Sequence, residues 1–208
     1  MHDELRKAIS ISQHCQRNWD LSQQVSKEDL DLILHAATNC TSKQNRRFYK
    51  IHVVTNRAIL ETVYALTETQ PANPRINYPG SNLFNTQVLA NVLLVFQMVD
   101  TSDEHKQNVR DHQSPECVQR DYYMSIGIAS GYANLVATQL GYRTGYCACF
   151  DPKKVAIALG LPESDFDILV TLGIGFPKEN KKYWESHYED AYNPMTYIKE
   201  NIEVNYID

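Results

Sequence analysis

Apolar positions along this chain switch between helical and strand spacing, and one long segment carries more of them than either needs. From Glu116 to Leu140 the residues Met124, Ile126, Ile128, Leu135, Val136 and Leu140 fall on nearly every face of a helix. Such a segment, too polar at its start to cross a membrane, predicts a buried central helix. Its small residues Gly127, Ala129, Ser130, Gly131, Ala133 and Ala137 suit close approach of another backbone. Gly141 predicts a left-handed stop. An extended run then leads through Arg143 to Cys149, and a new helix covers Pro152 to Leu159, ending at Gly160.

Earlier in the chain, Leu5, Ala8, Ile9 and Ile11 predict an amphipathic helix from Asp3 to about His14. Ser26 with Asp29 three residues on predicts a capped helix start, and Leu30, Ile33, Leu34 and Ala37 continue it to about Asn39. Ile51, Val53 and Val54 predict a strand over Phe48 to Thr55, followed by a helix from Arg57 to Thr69. Gln70 to Asn82, with three prolines and Gly80, reads as a loop long enough to be a flap or functional segment. A short turn at Asn85 to Gln87 is expected to feed a fully buried strand over Val88 to Phe96. Asp100 to Pro115 reads as a surface excursion, and Asp167 to Leu172 as a strand closing on Gly173-Ile174-Gly175-Phe176-Pro177. Strands interleaved with helices in one domain give an α+β or three-layer α/β core.

Composition narrows the class. A chain of 208 residues supports one domain with a sizeable core, here taken as residues 1–208, with 178–208 an extension that can lie along a partner subunit. The formal charge of −5 argues against general nucleic-acid binding, and no apolar run reaches membrane-spanning length. Met1-His2-Asp3-Glu4 is unlike a signal peptide, so a soluble, cytoplasmic protein is expected. The odd count of five cysteines argues against a disulfide framework, and Cys147 and Cys149 lack a second pair at zinc spacing.

The seven histidines are scattered, no Ser or Cys occupies a nucleophile turn, and there is no Walker loop, G-x-G-x-x-G or H-E-x-x-H. An enzyme without its own reactive group borrows one from a cofactor, and the polar segments offer donors for a ring system and cations for a phosphate.

Four segments, in order, carry a resemblance: Gln13-His14-Cys15-Gln16-Arg17-Asn18-Trp19-Asp20; Thr41-Ser42-Lys43-Gln44-Asn45-Arg46-Arg47-Phe48-Tyr49; Gly131 to Tyr142; and Leu172 to Pro177. Together they resemble the FMN-dependent nitroreductase family over roughly Ile9 to Lys182. The resemblance implies a three-layer α/β/α sandwich with a central mixed, largely antiparallel sheet flanked by helices, in an intertwined homodimer. It implies an oxidoreductase in which NADH or NADPH reduces FMN, and the flavin then reduces a nitroaromatic or quinone-like acceptor in a ping-pong exchange. A flavin-binding carrier or sensor without turnover is the alternative. A redox or metal protein centred on Cys147 and Cys149 is a third reading.

Carried over position by position, Gln13, His14, Cys15 and Arg17 would hold the ribityl chain, phosphate and pyrimidine edge. Arg17 would stabilise negative charge on the reduced ring; a surface arginine after a helix is its plainer reading. Ser42, Lys43 and Asn45 would reach the flavin of the partner subunit, and otherwise form an ordinary turn. Asn85 and Gln87 would place amides against the ring, unless Asn85 only caps its turn. Backbone groups of Ala148 and Cys149 would face the N5–O4 edge, and Lys181 and Lys182 would pair with the phosphate or remain solvated. Gln13 and Cys15 depart from the Arg and Ser usual in the family, and Thr41 replaces a usual Pro. No side chain is nominated as catalytic, and no metal is expected.

Overall fold

The computed structural model describes residues 2–46, 48–67, 84–99, 114–162, 167–185 and 202–206. Five helices are described: α1 (His2–Ser12), α2 (Lys27–Thr38), α3 (Arg57–Ala65), α4 (Pro115–Gln139) and α5 (Pro152–Ala158). The strands are β1 (Tyr49–Val54), β2 (Val92–Met98), β3 (Arg143–Cys147) and β4 (Ile168–Gly175). They form one sheet in the order β1-β2-β4-β3, and every described pairing is antiparallel.

The sheet is covered on both faces because β2 alternates two sets of apolar residues across it. Val92, Leu94 and Phe96 join Ile33 and Ala37 of α2 and Ile126, Ala129, Ala133 and Ala137 of α4. Leu93 and Val95 join Leu60 and Val63 of α3 and Val155 and Ala156 of α5 on the opposite face. This is the expected α+β, three-layer arrangement.

Helix starts follow from short polar caps. Ser26 accepts from the Asp29 amide at 3.0 Å, Asn56 accepts from Ala58 and Ile59, and Asp151 precedes Pro152 and accepts from Lys153 and Lys154. Ser114 with Pro115 starts α4, and Gly141, at φ 97°, lies just beyond its end. The Asp29 side chain does more than occupy a capping box, since it accepts the Tyr142 hydroxyl at 2.6 Å and so joins α2 to the chain leaving α4.

That hydrogen bond is the chief reason the Asp29 carboxyl lies below its ordinary range. A depressed native pKa gives stability that is present above the ordinary carboxylate value and lost as pH falls through the native one. Tyr142→Phe is therefore expected to lower the urea midpoint at neutral pH. Its deficit relative to wild type should close as pH drops below about 4, measured by urea titrations across that range.

Several expected elements shift. The strand predicted from Val88 begins at Val92, because Thr86–Leu89 forms a 3-10 turn that is itself buried. The helix expected to reach Thr69 runs to Ala65, and Thr69 lies outside the described residues. The extended run after Gly141 is a fourth strand, β3, paired with β4. The central helix is not buried all round: Tyr123, Met124, Tyr132 and Leu140 are exposed. Its inward face is built from small residues, Ser125, Ala129, Ser130, Ala133 and Ala137, which let α2 and the sheet pack close. Gly127 and Gly131 face outward, and a Cβ at either position would meet nothing within 4 Å. The Gln70–Asn82 loop and nearly all of the Asp100–Pro115 excursion lie outside the described residues.

Candidate functional site

After α1, the chain passes the edge strand β3 and is held by its backbone to β3, to the segment after β4 and to Tyr183. Gln16 donates its amide to Thr144 at 2.8 Å, Arg17 to Tyr183 at 2.9 Å, and Asp20 to Phe176 at 2.9 Å. Asn134 of α4 sets where this turn occurs, donating to the Ser12 carbonyl at 3.0 Å and accepting from Thr144 at 2.6 Å. Trp19 is buried and donates its indole N–H to the Thr86 carbonyl at 3.0 Å, which joins the edge segment to the 86–89 turn.

That turn rests on the sheet through a pair of glycines. Gly145 of β3 and Gly173 of β4 are cross-strand partners. A Cβ on Gly145 would come within 2.7 Å of the Gln87 Cβ and 2.6 Å of the Gln16 carbonyl oxygen. One on Gly173 would come within 2.2 Å of the Gln87 carbonyl oxygen. Two missing side chains thus make room for Gln87 on a sheet that would otherwise exclude it.

Gln87 then organises the polar cluster. Its Oε1 accepts from Arg17 Nη1 at 2.8 Å, and its Nε2 donates to Asn85 Oδ1 and the Tyr146 carbonyl, both at 3.1 Å. Asn85 does not cap the turn with its side chain; it donates to the Thr67 carbonyl at 3.1 Å. Arg17 is only 3% exposed, so the surface-arginine reading fails. Gln87 thus fixes one nitrogen of a buried guanidinium, whose planar fork sets the direction in which it presents its donors.

Around this centre, Cys15 donates its thiol to the Tyr146 carbonyl at 3.6 Å, and His14 stacks on Tyr183 with ring centroids 4.4 Å apart. Gln13 is exposed and bonds back to the Ser10 carbonyl at 3.0 Å. Ala148 and Cys149 follow β3 directly and are exposed. The lysine segment is drawn in by Asn18, whose amide donates to the Lys182 carbonyl at 2.7 Å. The Lys182 ammonium itself lies 5.1 Å from the centre of the Trp184 ring.

Burial raises the Cys15 thiol above its ordinary pKa, and burial pushes Cys147 up to about 12. Both are therefore neutral thiols near pH 7, poor nucleophiles and poor metal ligands as they stand. Among the described residues, no three His, Cys, Asp or Glu side chains are grouped to hold a metal ion. Iodoacetamide at pH 8 is expected to modify exposed Cys149 in the folded protein well before Cys15 and Cys147. Peptide mass spectrometry over a time course would check that order.

The remaining expected residues lie elsewhere. Ser42, Lys43 and Asn45 form a turn against α4 near Asp121, with Lys43 Nζ 2.7 Å from the Asp121 carboxylate. Asn134, which adjoins the Arg17 cluster, is thirteen residues further along the same helix, roughly 20 Å at 1.5 Å per residue. Within one chain, the two groups do not meet.

The model of the nitroreductase family matches residues 12–176. The chain belongs to the nitroreductase family. Comparison with curated proteins gave no match. Among solved structures, the fold is similar to nitroreductase A of Vibrio parahaemolyticus, with 20% identity and a TM-score of 0.64 over 93% of this chain and 78% of that one. It is also similar to an FMN-dependent nitroreductase of Clostridium difficile, at 20% identity and a TM-score of 0.58, covering 88% of this chain and 90% of the other. A Staphylococcus epidermidis protein described as a candidate NAD(P)H:FMN oxidoreductase gives 16% identity and a TM-score of 0.65, with 92% and 91% covered. Nitroreductase membership supports a flavin oxidoreductase, and the cluster at β3 is where the amides of Asn85 and Gln87 meet the buried Arg17. No described helix is long and apolar enough to cross a membrane.

Sequence patterns alone do not single out Gln16, Asn18, Tyr146, Tyr183 or Asp121. Gln16 and Asn18 stand inside the family-like segment, and a polar run beside Trp19 is the available signal. Tyr146, Tyr183 and Asp121 act through contacts distant in sequence, which no local pattern carries.

Proposed function

We propose that this nitroreductase-family chain is an FMN-dependent oxidoreductase that uses NADH or NADPH to reduce nitroaromatic or quinone-like acceptors by ping-pong exchange. The observation that carries the reading is the buried Arg17 guanidinium, fixed by Gln87 inside a cluster of amides at the end of β3. The residue types suit a flavin: a cation in Arg17 for the pyrimidine edge, amides in Asn85 and Gln87 that would exchange present partners for the ring, and the exposed residues Ala148 and Cys149, whose backbone would face the N5–O4 edge. Bound FMN would supply the two-electron chemistry. Arg17 would hold positive charge where negative charge grows, and His14, Cys15 and Gln13 would line the ribityl and phosphate side. Lys181 and Lys182 would stand near the phosphate. Lys182 would have to leave the Trp184 ring to pair with it.

The working unit is proposed to be a homodimer. Ser42 and Asn45 are too far along α4 from the Arg17 cluster of their own chain, so they would line the flavin of the partner subunit. The outward face of α4 supports this, since Tyr123, Met124, Gly127, Gly131 and Tyr132 form one exposed stripe with small residues at its middle. Ile202, Val204 and Tyr206 alternate with polar residues and are 87%, 67% and 91% exposed, which suits an extension packing on the partner subunit. Because a Cβ at Gly131 would meet nothing within 4 Å among the described residues, Gly131→Phe is expected to yield folded monomer with little flavin. Sedimentation equilibrium and the visible spectrum would check both. All five cysteines are free thiols, in keeping with a single domain working in the reducing cytoplasm.

The deciding measurement is the visible absorption spectrum of the purified protein after incubation with FMN and gel filtration. Flavin bands that co-elute, bleach on anaerobic NADH or NADPH and return with a nitroaromatic or quinone support the enzyme. Parallel lines in initial-rate plots support ping-pong exchange. Bands that co-elute and never bleach turn the reading to a carrier or sensor. Protein without flavin removes the cofactor assignment.

A further inference from the structure

The turn that carries Asn45 is strapped to α4 at both ends. On one side Lys43 reaches the Asp121 carboxylate at 2.7 Å, and Asp121 is only 2% exposed. On the other, Phe48 meets Tyr122 edge-on, with ring centroids 5.5 Å apart. Between them, Ser42 Oγ donates to the Arg46 carbonyl at 2.9 Å and closes the turn. Asn45 sits at the apex with φ 56°, in the left-handed region that asparagine tolerates better than other residues with a side chain. Its side chain is exposed and, among the described residues, makes no hydrogen bond. The next residues of α4, Tyr123 and Met124, begin the exposed stripe described above.

From this arrangement we infer that Lys43 and Asp121 are positioning residues, which hold the left-handed Asn45 at the edge of the α4 stripe so that it meets the cofactor of a second copy of the chain. The inference rests on the flavin reading, and it replaces direct contact between Lys43 and the flavin with action through Asn45. The ammonium is already satisfied by a carboxylate that water scarcely reaches, so its charge is spent on the strap. The apex amide keeps its donors and acceptor for a ligand.

A double-mutant cycle separates positioning from mere support. FMN dissociation constants would be read from flavin fluorescence for wild type, Lys43→Met, Asn45→Ala and the double variant. Each single change is expected to raise the constant about tenfold, and the double change to raise it no further, because the strap acts only through Asn45. Lys43→Arg keeps the ion pair and should bind FMN nearly as wild type does. Asp121→Asn, of the same shape, offers a second route to the same loss if Lys43→Met folds poorly. Wild-type affinity in Lys43→Met, or a double variant that shows the product of both single losses, would overturn the inference while leaving the flavin reading intact. A wild-type protein that binds no FMN would overturn both.

Discussion

Arg17→Met is expected to lower kcat/KM for the nicotinamide reductant by about 10²–10³, the range for removing one preorganised electrostatic group. It should also move the flavin's two-electron potential to more negative values, because a fixed positive charge favours added electrons. The fold should survive. Gln87 keeps its bonds to Asn85 and the Tyr146 carbonyl, and Trp19 still ties the edge segment to the Thr86 carbonyl. Arg17→Lys keeps the charge and loses the planar fork, so an intermediate value is expected. Stopped-flow reduction by NADH and NADPH, with a redox titration and a melting curve on the same samples, would check these effects. Wild-type rates and potential in the methionine variant would show that the guanidinium serves only packing.

Gly173→Ala is expected to destabilise the protein by about 3 kcal/mol, at the upper end of overpacking in a filled interior. That corresponds to a fall in Tm of roughly 6–12 °C for a chain of this size. The new Cβ would come within 2.2 Å of the Gln87 backbone oxygen and 2.9 Å of the Ala90 Cβ, and neither belongs to the free end of a flexible side chain. Relief requires lifting the Thr86–Leu89 turn off the sheet, which also draws Gln87 away from Arg17. Flavin retention should therefore fall along with stability. Differential scanning calorimetry and the absorbance ratio of flavin to protein would read the two effects. An unchanged Tm would mean the turn can shift without strain.

Elements with local signals are legible in the order of residues. Ser26, Asp151-Pro152 and Gly141 mark helix ends because caps and stops are decided by a residue and its near neighbours. The apolar run through Val92 to Phe96 fits a strand covered on both faces. Its start lies later than the pattern predicts, because Val88 and Leu89 extend the apolar run yet belong to the buried Thr86–Leu89 turn, which is seated over Gly145 and Gly173. The central helix is less buried than its composition predicts, for a related reason. Composition reports how many apolar residues a helix has, while the packing partners decide which of its faces they cover.

For the site, the family-like order of segments points to Arg17, Asn85 and Gln87, and these meet in space. Lys43 offers only a charge in the sequence, and the fold alone brings Asp121 to it. Cys147 suggests a redox or metal thiol by its spacing from Cys149, yet its pKa of about 12 comes from burial between α5 and the sheet. Helix caps, the glycine stop, the buried strand and the family pattern are thus written in the sequence itself, because each depends on a few neighbours. The burial of the Arg17 charge, the seat for Gln87, the strap on Asn45 and the state of the thiols are decided by tertiary structure. Each of those depends on how much water is excluded and which distant group fills its place, and burial by residues far along the chain leaves no mark in local sequence.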